Sequence, residues 1–296
     1  VQALAFILFI VIFVAADRIN FLPADLFFRL DPLVGLTGML AARRFVLPLF
    51  IGGLITLVLT VVAGRVWCGW LCPLGTVLDW VPAHKPGPKE ADLPPGWRQV
   101  KYFLLGLIIL VAVLGNLSLI FLDPLTLIYR TMVSALWPAL VAIITGAEQA
   151  LAGLPIPGFL DGIVRIDNFL RRTVLPTYQP VFGLSGLTVL LFGGVLALNA
   201  KRPRFWCRYL CPLGALLGLV SKVSWLRRTT NDRCIACTRC ARVCPTGTID
   251  PKKDYTSDPS ECIMCLECAS ACDEAAQQFR GHLIPALWQP DDPSFL

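Results

Sequence analysis

The sequence predicts an α-helical integral membrane protein, four transmembrane helices arranged as a two-fold internal repeat, followed by a small cysteine-rich α+β domain. Three observations carry that expectation. Of 296 residues, 56% are hydrophobic and 16% charged, against about 25% charged in soluble domains, and the mean hydropathy is +0.67. An eleven-residue motif occurs twice. Finally, eight of the 12 cysteines crowd into residues 234–272. That many cysteines in a long chain, without the pattern of a secreted mini-domain, point to metal or redox work and not to a disulfide scaffold. Only 2 histidines, His84 and His282, are present. A bis-histidine haem inside a bilayer cannot be built from this chain alone, which excludes a cytochrome b.

Crossing a bilayer takes about 20 mainly apolar residues. Residues 1–16, 45–64, 100–122 and 181–200 meet or approach that length. Residues 131–152 are apolar as well but contain Pro138, Glu148 and Gln149, and an amphipathic run follows at Leu160, Ile163, Val164, Phe169 and Leu170. This stretch is expected to lie on the membrane surface or to re-enter it. The repeat favours that expectation. Arg65-Val-Trp-Cys-Gly-Trp-Leu-Cys-Pro-Leu-Gly75 and Arg204-Phe-Trp-Cys-Arg-Tyr-Leu-Cys-Pro-Leu-Gly214 agree at eight of eleven positions, and Leu30-Asp-Pro-Leu33 matches Leu122-Asp-Pro-Leu125. Each half then reads span, LDPL, span, WCxxLCPLG, with an insertion at about 131–180 in the second. The expected units are a first membrane repeat (1–100), a second (101–228), the cysteine-rich domain (229–280) and a tail (281–296). The face with the cysteine motifs and the tail carries 18 Lys/Arg, the LDPL face 8. The positive-inside rule makes the cysteine face cytoplasmic.

The cysteine-rich domain reads Cys234-x2-Cys237-x2-Cys240-x3-Cys244-Pro and then Cys262-x2-Cys265-x2-Cys268-x3-Cys272. This is the bacterial two-cluster ferredoxin pattern, in which the fourth cysteine of each run serves the other cluster. One [4Fe-4S] cluster is then expected on Cys234, Cys237, Cys240 and Cys272, and another on Cys262, Cys265, Cys268 and Cys244. Soft thiolates suit iron–sulfur; structural zinc favours paired C-x2-C arms.

The remaining cysteines are Cys68, Cys72, Cys207 and Cys211. If the halves are related by pseudo-symmetry, two thiols from each come together at the cytoplasmic membrane surface. Three readings stay open: a third [4Fe-4S] cluster or a single metal, a redox-active thiol pair activated by Arg65, Arg204 and Arg208, or cysteines that only pack. Asp31 and Asp123, each followed by proline, read as ordinary helix N-caps. The functional alternative is a proton or quinone site near the outer face, because ionisable groups at membrane depth are often functional. Trp67, Trp70, Trp206 and Tyr209 read as an interfacial aromatic belt, with stacking on a quinone ring as the alternative.

Four spans, two CxxxCP motifs (Cys68–Pro73 and Cys207–Pro212) and a C-terminal double ferredoxin resemble the NapH/MauN family of membrane-bound 4Fe-4S ferredoxins, whose core is shared by the C-terminal part of NosR and by CcoG/FixG/RdxA proteins. The resemblance implies a bacterial inner-membrane subunit that links the quinone pool to a respiratory oxidoreductase, with other subunits of that complex, quinone and lipid as partners and no role for nucleic acid. Two alternatives accompany it: a copper or thiol reductase for oxidase assembly, and a membrane anchor with structural clusters.

Overall fold

Proline and aspartate punctuate the helices of a computed structural model, which describes residues 1–14, 23, 25–81, 95–152, 165 and 185–281. The first half comprises α1 (Gln2–Val14), α2 (Leu26–Arg29), α3 (Pro32–Ala42), α4 (Leu47–Ala63), a single π-turn at Trp67–Leu71 and α5 (Pro73–Trp80). The second comprises α6 (Val100–Val113), α7 (Pro124–Thr131), α8 (Trp137–Ala152), α9 (Ser185–Lys201), a π-turn at Trp206–Leu210 and α10 (Pro212–Ser221). Pro32, Pro73, Pro124 and Pro212 each occupy a first-turn position, where the missing N–H costs nothing. Asp31 accepts from the N–H groups of Leu33 and Val34, and Asp123 from those of Leu125 and Thr126, at 2.8–3.1 Å. Both are N-caps, as the sequence indicates.

The membrane part departs from four equal spans. Two helices are long and apolar enough to cross a bilayer, Gly96–Val113 and Pro124–Ala150; α1, α3, α4, α9 and α10 are apolar but shorter. The expected span 100–122 stops at Val113. Gly115 adopts φ +84° and the Asn116 side chain accepts from Ser118 N at 2.7 Å, which turns the chain. Residues 131–152 belong to a longer helix than expected: α7 and α8 join through a π-turn at Met132–Leu136, giving a helix long and apolar enough to cross a bilayer. The π-turn lies just ahead of Pro138, where the regular hydrogen-bond ladder is interrupted. The candidate amphipathic run within 160–170, the loop holding His84 and the tail beyond Gly281 lie outside the described residues.

A second departure concerns depth. Thr56, the tenth residue of the 17-residue α4, donates to the Leu30 carbonyl at 2.6 Å, so the first LDPL sits level with the middle of α4. Asp31 and Asp123 are both wholly buried. The LDPL motifs therefore lie inside the helix packing and not at its outer face. Outward faces of the helices are apolar, with Phe50, Ile55, Val58, Phe103, Leu110 and Leu190 exposed, a surface suited to lipid.

The C-terminal domain holds β1 (Leu226–Thr230) antiparallel to β4 (Gln277–Gly281), β2 (Ile249–Asp250) antiparallel to β3 (Thr256–Ser257), and two short helices, α11 (Arg239–Val243) and α12 (Glu267–Ser270). It is seated tightly on the membrane part. Lys101 Nζ meets Glu261 Oε1 at 2.5 Å, Arg65 lies 3.6 Å from the other oxygen, and all three side chains are buried. Arg65 also donates to the Ser260 carbonyl (2.7 Å), Trp70 to that of Met264 (2.9 Å) and Ser221 to that of Pro259 (2.9 Å). The backbones nearly touch: a Cβ on Gly69 would stand 2.2 Å from the Ile263 carbonyl oxygen.

Removing one member of a buried ion pair strands its partners and costs about 3–5 kcal/mol. Glu261→Gln is therefore expected to loosen the C-terminal domain, seen as faster proteolysis between α10 and β1 in intact membranes. Glu267→Gln, on an exposed side chain, should leave the rate unchanged.

Candidate functional site

The two cysteine runs fold into superimposable loops. In the first, Ala236 and Thr238 adopt φ of 56° and 62°; at the matching places in the second, Met264 and Leu266 adopt 54° and 67°. A left-handed residue on each side of the middle cysteine coils the backbone around a common centre and turns three thiols inward. Tyr255 fastens the first loop by donating to the Ala236 carbonyl at 2.9 Å. The fourth thiol comes from the other run. One cavity is lined by Cys234, Cys237, Cys240 and Cys272, and a second by Cys244, Cys262, Cys265 and Cys268. These are the two quartets expected from the spacing. No trio of Cys, His, Asp or Glu among the described residues converges on a single ion. Four thiols around one cavity fit a cluster, in which each thiolate would bind a different iron.

The duplicated WCxxLCP motif forms the same structure in both halves. The Cys72 N–H donates to the Trp67 carbonyl and the Cys211 N–H to that of Trp206, each at 2.9 Å, closing a π-turn. The second cysteine then caps the following helix, and Cys211 Sγ accepts from Gly214 N at 3.2 Å. Cys68, Cys72, Cys207 and Cys211 are buried in one apolar cluster. Their sulfurs are close enough across the repeat to influence one another electrostatically, Cys72 with Cys207 and Cys211 with Cys68. Cys265, from the second quartet, packs against this cluster and Ile263 is part of it.

Two arginines cross over between the halves. Arg204 donates to the Cys68 carbonyl at 2.7 Å and is anchored by Asp79 at 2.7 and 2.5 Å. Arg65 approaches Cys68 Sγ at 4.0 Å. A Cβ on Gly75 would lie 3.1 Å from the Arg204 guanidinium, and one on Gly214 would lie 2.8 Å from that of Arg65. The glycine that ends each CPLG thus makes room for the arginine that opens the other motif.

Trp67, Trp206 and Tyr209 are buried and Trp70 is bonded to the C-terminal domain, so these residues form no interfacial belt. Their WCxxLC segments lie against the C-terminal domain, away from the lipid-facing surface. Sequence reasoning also missed Glu261, Lys101 and Asp79, whose partners lie over a hundred residues away. Arg228 went unnoticed too. In sequence it is one of the 18 basic residues of its face; in the fold it is buried on β1, lines the second cavity and donates to the Tyr255 carbonyl at 2.5 Å.

Comparison with known proteins agrees with this partition. A family described as "4Fe-4S binding domain" matches residues 45–86 and 184–231, which contain the two CxxxCP motifs, and one described as "4Fe-4S dicluster domain" matches 233–276. An uncharacterized protein of Methanocaldococcus jannaschii is 30% identical over 80% of this chain and 83% of its own length. The putative electron transport protein YccM of Escherichia coli is 29% identical over 74% of the chain, which spans about half (52%) of YccM. The ferredoxin-type protein NapH of E. coli is 24% identical over 82% of the chain and 72% of NapH. No solved structure matches.

Burial pushes the Cys262 thiol up to about 11 and that of Cys265 up to about 12. Because the thiolate is the nucleophile, both should alkylate at pH 8 roughly tenfold more slowly than exposed Cys237 in cluster-free chain. Their rates should climb with pH toward 11. Mass spectrometry of the modified peptides measures this.

Proposed function

This chain belongs to the NapH/MauN family of ferredoxin-type proteins, and from that membership we propose that it is the membrane-embedded iron–sulfur subunit of a quinone-linked oxidoreductase. Ferredoxin-type electron transfer with 4Fe-4S domains is the common ground of the family. The observation that carries the finer reading is the contact between the second cysteine quartet and the four CxxxCP cysteines, through Cys265, Ile263 and Gly69. Clusters bound at these cysteines supply one-electron carriers.

The chain's own residues do the positioning. Cys234, Cys237, Cys240 and Cys272 would hold one cluster, and Cys262, Cys265, Cys268 and Cys244 a second. Cys68, Cys72, Cys207 and Cys211 would hold a third. The match of a 4Fe-4S family to both CxxxCP segments supports this last assignment, as does a donor set of four thiols with two buried guanidiniums beside it. Permanent cations next to iron-bound thiolates offset their negative charge where water cannot. Trp67, Trp206 and Tyr209 wall the site against solvent. The first quartet lies at the other end of the domain, where Ile235 and Cys237 are exposed, and presents an edge to a redox partner. Burial of the CxxxCP thiols weighs against a thiol or copper reductase, which needs them accessible. The apolar helices support a membrane setting, and the excess of Lys/Arg on the cysteine side favours a cytoplasmic position for that side.

Iron and acid-labile sulfide in the purified chain test the assignment. About twelve of each per chain are expected for three [4Fe-4S] groups, falling to about eight in Cys68→Ser/Cys211→Ser. About eight in the unaltered chain would remove the third group and with it the proposed route into the membrane.

A further inference from the structure

Asp31 and Asp123 each use only one carboxyl oxygen. Asp31 Oδ1 takes both cap N–H groups of α3, and Asp123 Oδ2 both of α7. The other two oxygens, Asp31 Oδ2 and Asp123 Oδ1, are fully buried and receive no N–H or O–H donor. The two carboxyls nevertheless lie near enough to act on each other. Helices α3 and α7 occupy matching places in the two repeats, so each repeat brings one buried, uncommitted carboxyl oxygen to the region where the two caps meet.

No cation is set against either carboxyl among the described residues. Arg29 on α2 is paired with Asp25 at 2.8 Å. Lys101 on α6 is paired with Glu261, and Asp79 on α5 with Arg204. Arg130 on α7 and Lys201 on α9 are exposed. Helices α3, α4 and α10 carry no charged residue. Two carboxylates in contact, unscreened by water, cannot both ionise. A metal cation is a poor occupant, because hard cations want six or more oxygens and, among the described residues, no third carboxylate, cysteine or histidine joins the pair.

We infer that the Asp31–Asp123 pair is a proton-binding site at the seam of the two repeats. One carboxyl donates its proton to the other between Asp31 Oδ2 and Asp123 Oδ1, and the pair carries a single negative charge. The site stands on the geometry of the two caps and not on the electron-transfer reading above.

Asparagine caps a helix as well as aspartate does, so Asp31→Asn and Asp123→Asn keep the helix starts. Their Nδ2–H groups donate to the remaining carboxylate in place of the shared proton. The test is infrared spectroscopy of the full chain in lipid nanodiscs at neutral pH, in H2O and D2O. A protonated-carboxyl C=O band that shifts in D2O is expected from the unaltered chain. It should vanish in either Asn variant and persist in Asp250→Asn, a residue on the distant β2. Asp31→Ser and Asp123→Ser, which also cap, replace any Asn variant that fails to accumulate. Three results overturn the proposal: no such band in the unaltered chain, its survival in both single variants, or its loss on adding sodium, which would make the ligand a metal cation.

Discussion

Everything in this molecule turns on one anion placed between two cations. Glu261 comes from the C-terminal domain, Arg65 from the first repeat and Lys101 from the start of α6, and all three are buried. A buried charge left unpaired is costly, so these groups exclude most other ways of docking the domain. With two cations against one anion, the cluster keeps a positive surplus directly beside the CxxxCP cysteines. The contacts that dock the domain and the cations beside those cysteines are thus the same few side chains. Arg65 shows this most directly, reaching Glu261, the Ser260 carbonyl and Cys68 Sγ at once.

The two halves have kept their likeness where they face each other and lost it elsewhere. The motif from Arg65 to Gly75 recurs almost unchanged because each arginine needs the other half's glycine, and each cysteine pair meets the other pair. LDPL recurs because two helices start at the same seam. The second elements diverge. The 11-residue α3 corresponds to the start of a helix that runs on to Ala152. Its outward surface needs only to be apolar, and apolarity is satisfied by many sequences.

That contrast also explains how much could be read in advance. The grouping of the cysteines around two cavities was legible, since the spacing is local and the crossing of the fourth cysteine is a property of the pattern. The caps at Asp31 and Asp123 were legible for the same reason. Hydropathy was a weaker guide. It counted Trp67 and Trp206 as belt residues because an aromatic side chain at a membrane edge and one under a docked domain have the same composition around them. It set residues 131–152 apart from the Pro124 helix start because a π-turn leaves no signature in hydropathy. Glu261 and Lys101 were silent, because a buried ion pair between distant segments looks in sequence like two ordinary surface charges, and Asp79, an exposed anchor for Arg204, gave no more signal. The meeting of Asp31 with Asp123 required the third dimension outright.

The placement of fixed and exchangeable charge carries one more consequence. The guanidiniums around the CxxxCP cysteines stay protonated at any physiological pH, and the described residues put no histidine there. Charge added at that site is met by a fixed positive field. Three carboxyls are fully buried among the described residues: Asp31, Asp123 and Glu261. Glu261 is held by Lys101, which leaves the aspartate pair as the one buried carboxyl group not committed to a cation. The protein therefore separates its two kinds of charge handling by position, with permanent cations at the cysteine layer and an uncommitted acid pair inside the helix packing. Fixed and uncommitted charge thus sit on different elements of the two repeats.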